Sequence, residues 1–239
     1  MKTDRIALIV ATEFECLEIV SSLVGRQSFQ KGHFIIHRGR LSGRKTVVVI
    51  GGPGKTNAGA ATVIAILQFG AEKIINLGIG GAFVSSGLNV GGLAICTEDI
   101  YVEEGTLTRK GHRDLRKIGL ELIPKRDIYN RIPFSDALAQ RAEAVLSKGS
   151  WRYKKGRFIT VSTVTGTSSM ARELESRYRA ICESMEGAAV GQIALSFGIP
   201  ALQIRGISNL IEDRDRRKWR IKEAALACQR AVLQIIKEL

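Results

Sequence analysis

The chain has 239 residues, 45% of them hydrophobic and 25% charged, a composition that supplies a substantial core and excludes a disordered or collagen-like chain. Its 36 Lys+Arg against 23 Asp+Glu leave a formal charge of +13, which favours acidic partners: a polyanion, a membrane surface or a small anionic molecule. Four cysteines, Cys16, Cys96, Cys182 and Cys228, stand at least 46 positions apart, so no Cys-x-x-Cys pair serves zinc or redox work, and they read as reduced core residues.

Residues 6–10 are a continuous apolar run rich in β-branched residues that reads as a strand buried on both faces, and Glu13 and Glu15 soon interrupt the apolar stretch. That run is too short for a signal peptide or a membrane span, so a cytoplasmic protein without membrane contact is expected. His33 and His37 fall in a strand-like stretch, spaced to face one side, but no third ligand accompanies them and no metal is expected. Residues 46–50 form a second buried strand, followed by Gly51-Gly52-Pro53-Gly54-Lys55-Thr56. This loop invites a Walker A reading that fails, because Val49 stands where the pattern needs glycine. Helical spacing over residues 57–69 leads to a third strand over 73–77 and the loop Gly78-Ile79-Gly80-Gly81-Ala82-Phe83. A dinucleotide fingerprint would need its third glycine at Phe83, too bulky for close helix–strand packing. Both loops bring bare backbone to strand ends, which suits ligand binding and tight turns equally.

Residues 103–133 carry Gly105, Gly111 and Gly119 among charges with little periodicity, and read as a long functional loop or lid. Helices follow over 136–146, 171–178, 187–197 and 218–239, with a strand over 202–204. The alternation of buried strands and helices indicates a single α/β domain over residues 1–239. Two basic runs stand out, residues 148–157 with five basic and no acidic residues, and residues 214–222 with six basic and one acidic. Trp151 and Tyr153 interleave with the first and raise nucleic-acid binding as a rival function, although a solvated basic face explains it without a recognised binding module.

Three polar residues stand where strands end, the usual place for sites in α/β sheets. Glu15 in Thr12-Glu13-Phe14-Glu15 is either the reciprocating member of a capping box begun by Thr12 or a catalytic carboxylate. Glu186 carries a carboxylate into the first turn of an apolar helix, where the helix dipole would also accept it as ordinary structure. Asn209 ends an apolar strand running into polar residues, as a turn or as a ligand contact.

Taken together, Ser184-Met185-Glu186-Gly187-Ala188-Ala189, Ile204-Arg205-Gly206-Ile207-Ser208-Asn209-Leu210 and Asp213-Arg214-Asp215-Arg216-Arg217-Lys218-Trp219 resemble the nucleoside phosphorylase and nucleosidase superfamily. Within it they look like the futalosine hydrolases of menaquinone biosynthesis. The resemblance covers most of the chain and implies a three-layer α/β fold with a central mixed, partly barrel-like sheet flanked by helices. It implies a purine nucleosidase needing no cofactor and no metal, with no nucleic-acid or membrane partner, assembled as a homodimer or larger homo-oligomer. By the same resemblance Glu15 activates the attacking water, Met185 lies under the ribose and Glu186 grips its hydroxyls. Gly54, Gly80 and Gly81 belong to loops near the nucleophile, and Thr165 lies against the base.

The chemistry agrees with these roles. Cleaving an N-glycosidic bond builds positive charge on the ribose and negative charge on the departing purine, so the site needs an anion at the sugar and donors at the base. Phosphorylases of the superfamily commonly hold phosphate with an arginine before the second glycine loop, where this chain has Asn76-Leu77-Gly78, so water is the expected nucleophile. Asn209 stands where relatives acting on 6-aminopurines have aspartate. An amide donates to N7 or O6 but transfers no proton, which suits hypoxanthine, the better anionic leaving group. Futalosine, by the resemblance, also carries a benzoate, so the positive charge of the chain suits a small nucleoside substrate bearing a carboxylate, with residues 109–117 or 214–217 supplying the cation. The alternatives are a methylthioadenosine, adenosylhomocysteine or aminofutalosine nucleosidase, and a purine nucleoside phosphorylase.

Overall fold

The computed structural model describes residues 5–239. In chain order the strands and helices are β1 (Arg5–Val10), α1 (Leu17–Ser21), β2 (Val24–Lys31), β3 (Phe34–Leu41), β4 (Arg44–Ile50), α2 (Lys55–Phe69), β5 (Lys73–Ala82), β6 (Leu93–Tyr101), β7 (Gly105–Thr108), β8 (Gly111–Asp114), β9 (Arg131–Pro133), α3 (Asp136–Ser147), β10 (Tyr153–Thr160), α4 (Ser168–Tyr178), β11 (Cys182–Ser184), α5 (Gly187–Ser196), β12 (Ala201–Leu210) and α6 (Ile221–Glu238). Short 3-10 turns at Glu13–Glu15 and Arg216–Lys218 precede α1 and α6.

The sheet runs β11-β10-β6-β12-β5-β1-β4-β3-β2, and β11 also pairs antiparallel with β5. That extra pairing closes five strands, β5, β12, β6, β10 and β11, into a barrel, while β1, β4, β3 and β2 continue from β5 as an open wing. The mixed, partly barrel-like sheet expected from the resemblance is therefore present. Its layers follow from alternation within the strands. Ala7 and Ile9 of β1 turn to a core shared with α2 and α5, whereas Ile6, Leu8 and Val10 turn to a core shared with α1, α3 and α6. Strands apolar at every position must be covered on both faces, and these two helical layers cover them.

Several expected boundaries move for physical reasons. β12 runs from Ala201 to Leu210 rather than over 202–204, because Arg205 and Asn209 interrupt the apolar pattern while remaining in the ladder and Ser208 bulges from it. The last helix begins at Ile221 rather than 218, because Asp215 accepts from the Arg217 N–H and caps a separate turn. Glu186 is the N-cap residue of α5 rather than a member of its first turn. Residues 103–133 are organised as the β7–β8 hairpin, a 3-10 turn and β9 paired to β6. The two histidines have separate partners: His33, in the turn before β3, lies 3.0 Å from the Gly51 carbonyl, and His37 in β3 lies 2.8 Å from Ser28 Oγ. In the first basic run Trp151 and Tyr153 pack against the α3–α6 core, with the Trp151 indole N–H on Gln234, so neither ring is presented for base stacking. No helix of the described residues is long and apolar enough to cross a membrane.

A buried polar cluster sits under the start of α5. Asp99 accepts from the Thr160 hydroxyl at 2.9 Å, and that hydroxyl accepts from the Ala188 N–H at 2.8 Å. Asp99 Oδ2 and Gln203 Oε1 have no hydrogen-bond partner among the described residues. Both crowd Gly187, where a Cβ would lie 2.2 and 2.3 Å from them, so only glycine fits at the head of this helix. Two facing acceptors are satisfied if Asp99 is protonated, and burial pushes its carboxyl from the ordinary 3.8 up to about 7. Between those values the folded chain binds a proton that the unfolded chain releases. Stability should therefore fall as the pH rises through this window and stay lower above it. Asp99→Asn, whose amide donates permanently to Gln203, should remove that dependence. Denaturant unfolding at pH about 5 and about 8 should show the variant gaining about 1–3 kcal/mol on the parent at the higher pH.

Candidate active site

Where the strand ends converge, Glu15, Glu186, Asn209, Met185, Thr165 and the Gly80–Gly81 backbone line one cavity of about 230 Å³. A larger groove of about 690 Å³ lies between the β2–β3 wing and the end of α2, but its lining holds no carboxylate, thiol or imidazole, so chemistry selects the smaller cavity.

Glu15 ends the 3-10 turn after β1 and is 4% exposed. Its Oε2 accepts from the Thr12 N–H at 3.0 Å and the Thr12 hydroxyl at 2.7 Å, and its Oε1 accepts from the Ile79 N–H at 2.9 Å. The reciprocal bond of a capping box is thus present, and the same carboxylate faces the cavity: the two readings of Glu15 describe one residue. Burial pushes its carboxyl above the ordinary range, opposed by the Thr12 and Ile79 hydrogen bonds and by the Arg205 charge.

Arg205 is the residue that sequence reasoning overlooked. It is 1% exposed, in the middle of β12, and its Nη2 donates to Asn76 Oδ1 at 2.6 Å and lies 3.4 Å from Glu186 Oε2. A Cβ on Gly78 would lie 2.5 Å from Glu15 Oε1 and 2.7 Å from Arg205 Nη1. Glycine at this point of β5 is what lets carboxylate and guanidinium approach over the strand. Asn76 also donates to the Ile9 carbonyl at 3.0 Å, tying the guanidinium to β1. The available signal was an arginine inside a strand whose neighbours are apolar, because a buried guanidinium requires acceptors.

Glu186, 7% exposed, accepts from the Gly54 N–H at 3.0 Å in addition to meeting Arg205. Gly54, in the loop expected near the nucleophile, therefore orients this acid through its N–H. Asn209 follows a bulge in the β12–β5 register between Ile207 and Asn209, which puts Ser208 and Asn209 on the same cavity wall. Its amide lies between the Ser208 hydroxyl and the Leu210 carbonyl. Thr165 donates from both its N–H and hydroxyl to Glu183, a buried acid that also lines the cavity and that sequence reasoning missed. Arg214 and Trp219 close one side, the guanidinium 4.7 Å from the indole centroid. Of the two acids in this segment, Asp215 holds Arg217 and Asp213 accepts from the Ser168 N–H, so neither pairs with Arg214 or Arg216 among the described residues. None of residues 103–133 lines this cavity.

The arrangement is a polarised one. Two carboxylates flank one guanidinium at the floor, and the opposite wall carries the Asn209 amide, the Arg214 guanidinium and the Glu183 carboxylate held by Thr165, so the cavity can hold a water at Glu15, stabilise a developing cation at Glu186 and meet a base near Asn209.

Residues 5–237 match the family model of the Phosphorylase superfamily. A futalosine hydrolase of Streptomyces coelicolor is 32% identical over 67% of this chain and 63% of its own length, and one of Thermus thermophilus is 31% identical over 86% of this chain and 87% of its own. A 5'-methylthioadenosine/S-adenosylhomocysteine nucleosidase of Staphylococcus carnosus is 26% identical over 98% of this chain and all of its own. In fold, the Neisseria meningitidis 5'-methylthioadenosine/S-adenosylhomocysteine nucleosidase, solved with methylthio-immucillin-A, superposes with a TM-score of 0.87 at 23% identity, covering 99% of this chain and 100% of the other.

Removing Arg205 would leave Asn76 Oδ1 without its donor and the buried Glu186 without its cation. Arg205→Ala should cost about 3–5 kcal/mol of stability in denaturant unfolding, whereas Arg217→Ala, which breaks an exposed pair, should cost less than about 1.

Proposed function

We propose that this chain, which belongs to the Phosphorylase superfamily and is an N-glycosyl hydrolase of its nucleosidase branch, acts on futalosine and releases hypoxanthine. The observation that carries this reading is Asn209, an amide at the base wall of a cavity whose floor holds two carboxylates. With no acid at that position to protonate N7, the leaving group must depart as an anion, and a 6-oxopurine tolerates this better than adenine does.

In this reading Glu15 is the general base. Its carboxylate, fixed by three donors, takes a proton from the attacking water, and its raised pKa brings it nearer the operating pH. Glu186 binds the ribose hydroxyls and offsets the positive charge of the oxocarbenium-like transition state, with Met185 beneath the sugar and Gly80–Gly81 supplying close backbone. Water rather than phosphate is the nucleophile, because Glu15 and Glu186 flank a single guanidinium and would repel a phosphate dianion.

Arg214 supports futalosine in particular. It lines the cavity, makes no ion pair among the described residues and stacks on Trp219, so its guanidinium is free to take a benzoate carboxylate in bidentate fashion. The S. coelicolor and T. thermophilus relatives are futalosine hydrolases, which agrees with this choice. The S. carnosus relative supports the second reading, a methylthioadenosine nucleosidase.

The purified protein should release hypoxanthine from futalosine at a rate indifferent to added phosphate, and should turn over methylthioadenosine poorly. Glu15→Gln should lower kcat by at least about a hundredfold, and activity of the parent should fail on the acid side at a higher pH than an ordinary glutamate would set. Comparable turnover of methylthioadenosine would overturn the assignment. In addition, Arg214→Ala should raise KM for futalosine by about tenfold with little change in kcat, while KM for uncharged inosine stays constant.

A further inference from the structure

Glu183 lies outside the mechanism above, yet it is a carboxylate with 6% exposure that lines the same cavity. Its place in the sheet is informative. In the β11–β5 pairing Glu183 stands opposite Gly81, and in the β12–β5 pairing Asn209 stands opposite the same Gly81. Residues paired directly across neighbouring strands project to one face, so Glu183, Gly81 and Asn209 form a single row with the middle side chain missing. A Cβ on Gly81 would lie 2.8 Å from Ile211 and 3.3 Å from Asn209 Nδ2. The gap between the acid and the amide spans two strand spacings, about 9–10 Å between their Cα atoms, and opens onto the cavity.

Resting on the purine nucleosidase reading, we infer that Glu183 is a specificity residue: it accepts a hydrogen bond from the N1–H of a 6-oxopurine while Asn209 meets the O6 and N7 edge.

The donor pattern of the two base classes makes this selective. A 6-oxopurine carries hydrogen on N1, whereas N1 of a 6-aminopurine is a bare acceptor. An ionised carboxylate accepts only, so it pairs with the first and repels the second. Thr165 uses one acceptor position on each Glu183 oxygen, through its N–H at 3.0 Å and its hydroxyl, which aims the carboxylate and leaves further lone pairs for the base. Burial raises the Glu183 carboxyl above its ordinary range, and the two Thr165 donors oppose that shift. A 6-aminopurine would leave a buried charge facing a lone pair, the arrangement that sites reject most strongly.

The test compares bases as well as substrates. Calorimetric titration should show the parent binding hypoxanthine at least about tenfold more tightly than adenine. In Glu183→Gln, whose amide can present either an acceptor or a donor to N1, the ratio should fall to within about threefold. The ratio of kcat/KM for futalosine over aminofutalosine should fall in parallel. An unchanged ratio in a variant that retains the parental melting temperature would overturn the inference, as would a uniform loss of kcat on both substrates. Should the variant not fold, the ligand can be altered instead: 1-methylhypoxanthine lacks the N1 donor and should bind the parent at least about tenfold more weakly than hypoxanthine, and equal binding would overturn the inference. Preference for hypoxanthine without futalosine turnover would sink the substrate assignment while leaving the Glu183 inference standing. Futalosine turnover with a base preference insensitive to Glu183→Gln would do the reverse.

Discussion

A guanidinium that is 99% removed from solvent must be met by acceptors, and the active-site floor is organised around that requirement. Arg205 draws Asn76 from β5, Glu186 from the head of α5 and, over Gly78, Glu15 from the turn after β1. Four elements that share no local sequence are thereby held in one electrostatic arrangement. The guanidinium also explains how two acids coexist in a dry cavity: each repels the other, and the cation between them offsets the repulsion. A site that must start from an ionised base and stabilise a sugar cation gains from both properties.

Glycine has a specific task at three points around this floor. Gly78 lets Glu15 approach Arg205, Gly81 leaves the gap between Glu183 and Asn209, and Gly187 admits Asp99 and Gln203 beneath α5. The loop Gly78-Ile79-Gly80-Gly81-Ala82-Phe83, which resembled a dinucleotide motif, owes two of its glycines, Gly78 and Gly81, to close side-chain approach rather than to a phosphate cradle. The excess positive charge divides in a comparable way. Much of it is occupied with surface acids and carbonyls, as in Arg217 with Asp215, Arg230 with Glu18 and Lys155 with Glu143. Arg214 is different because it combines a position on the cavity wall with the lack of an acidic partner among the described residues.

Reading the chain residue by residue recovered much of the fold because the buried strands announce themselves. Residues 6–10 and 46–50 are apolar at nearly every position, a pattern that only a sheet covered on both faces requires. β2 was illegible for the opposite reason: all of its residues are exposed, so no burial pattern marks it. β12 was truncated where its side chains turn from core to cavity, since functional polar residues erase the apolar signature of the strand that carries them. Glu15, Glu186 and Asn209 were legible as polar residues at strand ends, and all three line one cavity. Gly54, placed by the resemblance in a loop near the nucleophile, gives its N–H to Glu186.

What the sequence determined by itself was the set of elements with strong periodicity, the α/β class and, through the segments around Glu186 and Asn209, the superfamily. Those properties depend on local patterns, which a linear reading contains. The closure of the barrel through β11 and β5, the meeting of Arg205 with Glu186 and Asn76, and the alignment of Glu183 with Asn209 across Gly81 were decided only by the tertiary structure. Each depends on strand register, and register is set by which faces find a core to pack on across the whole sheet. No window of neighbouring residues contains that information.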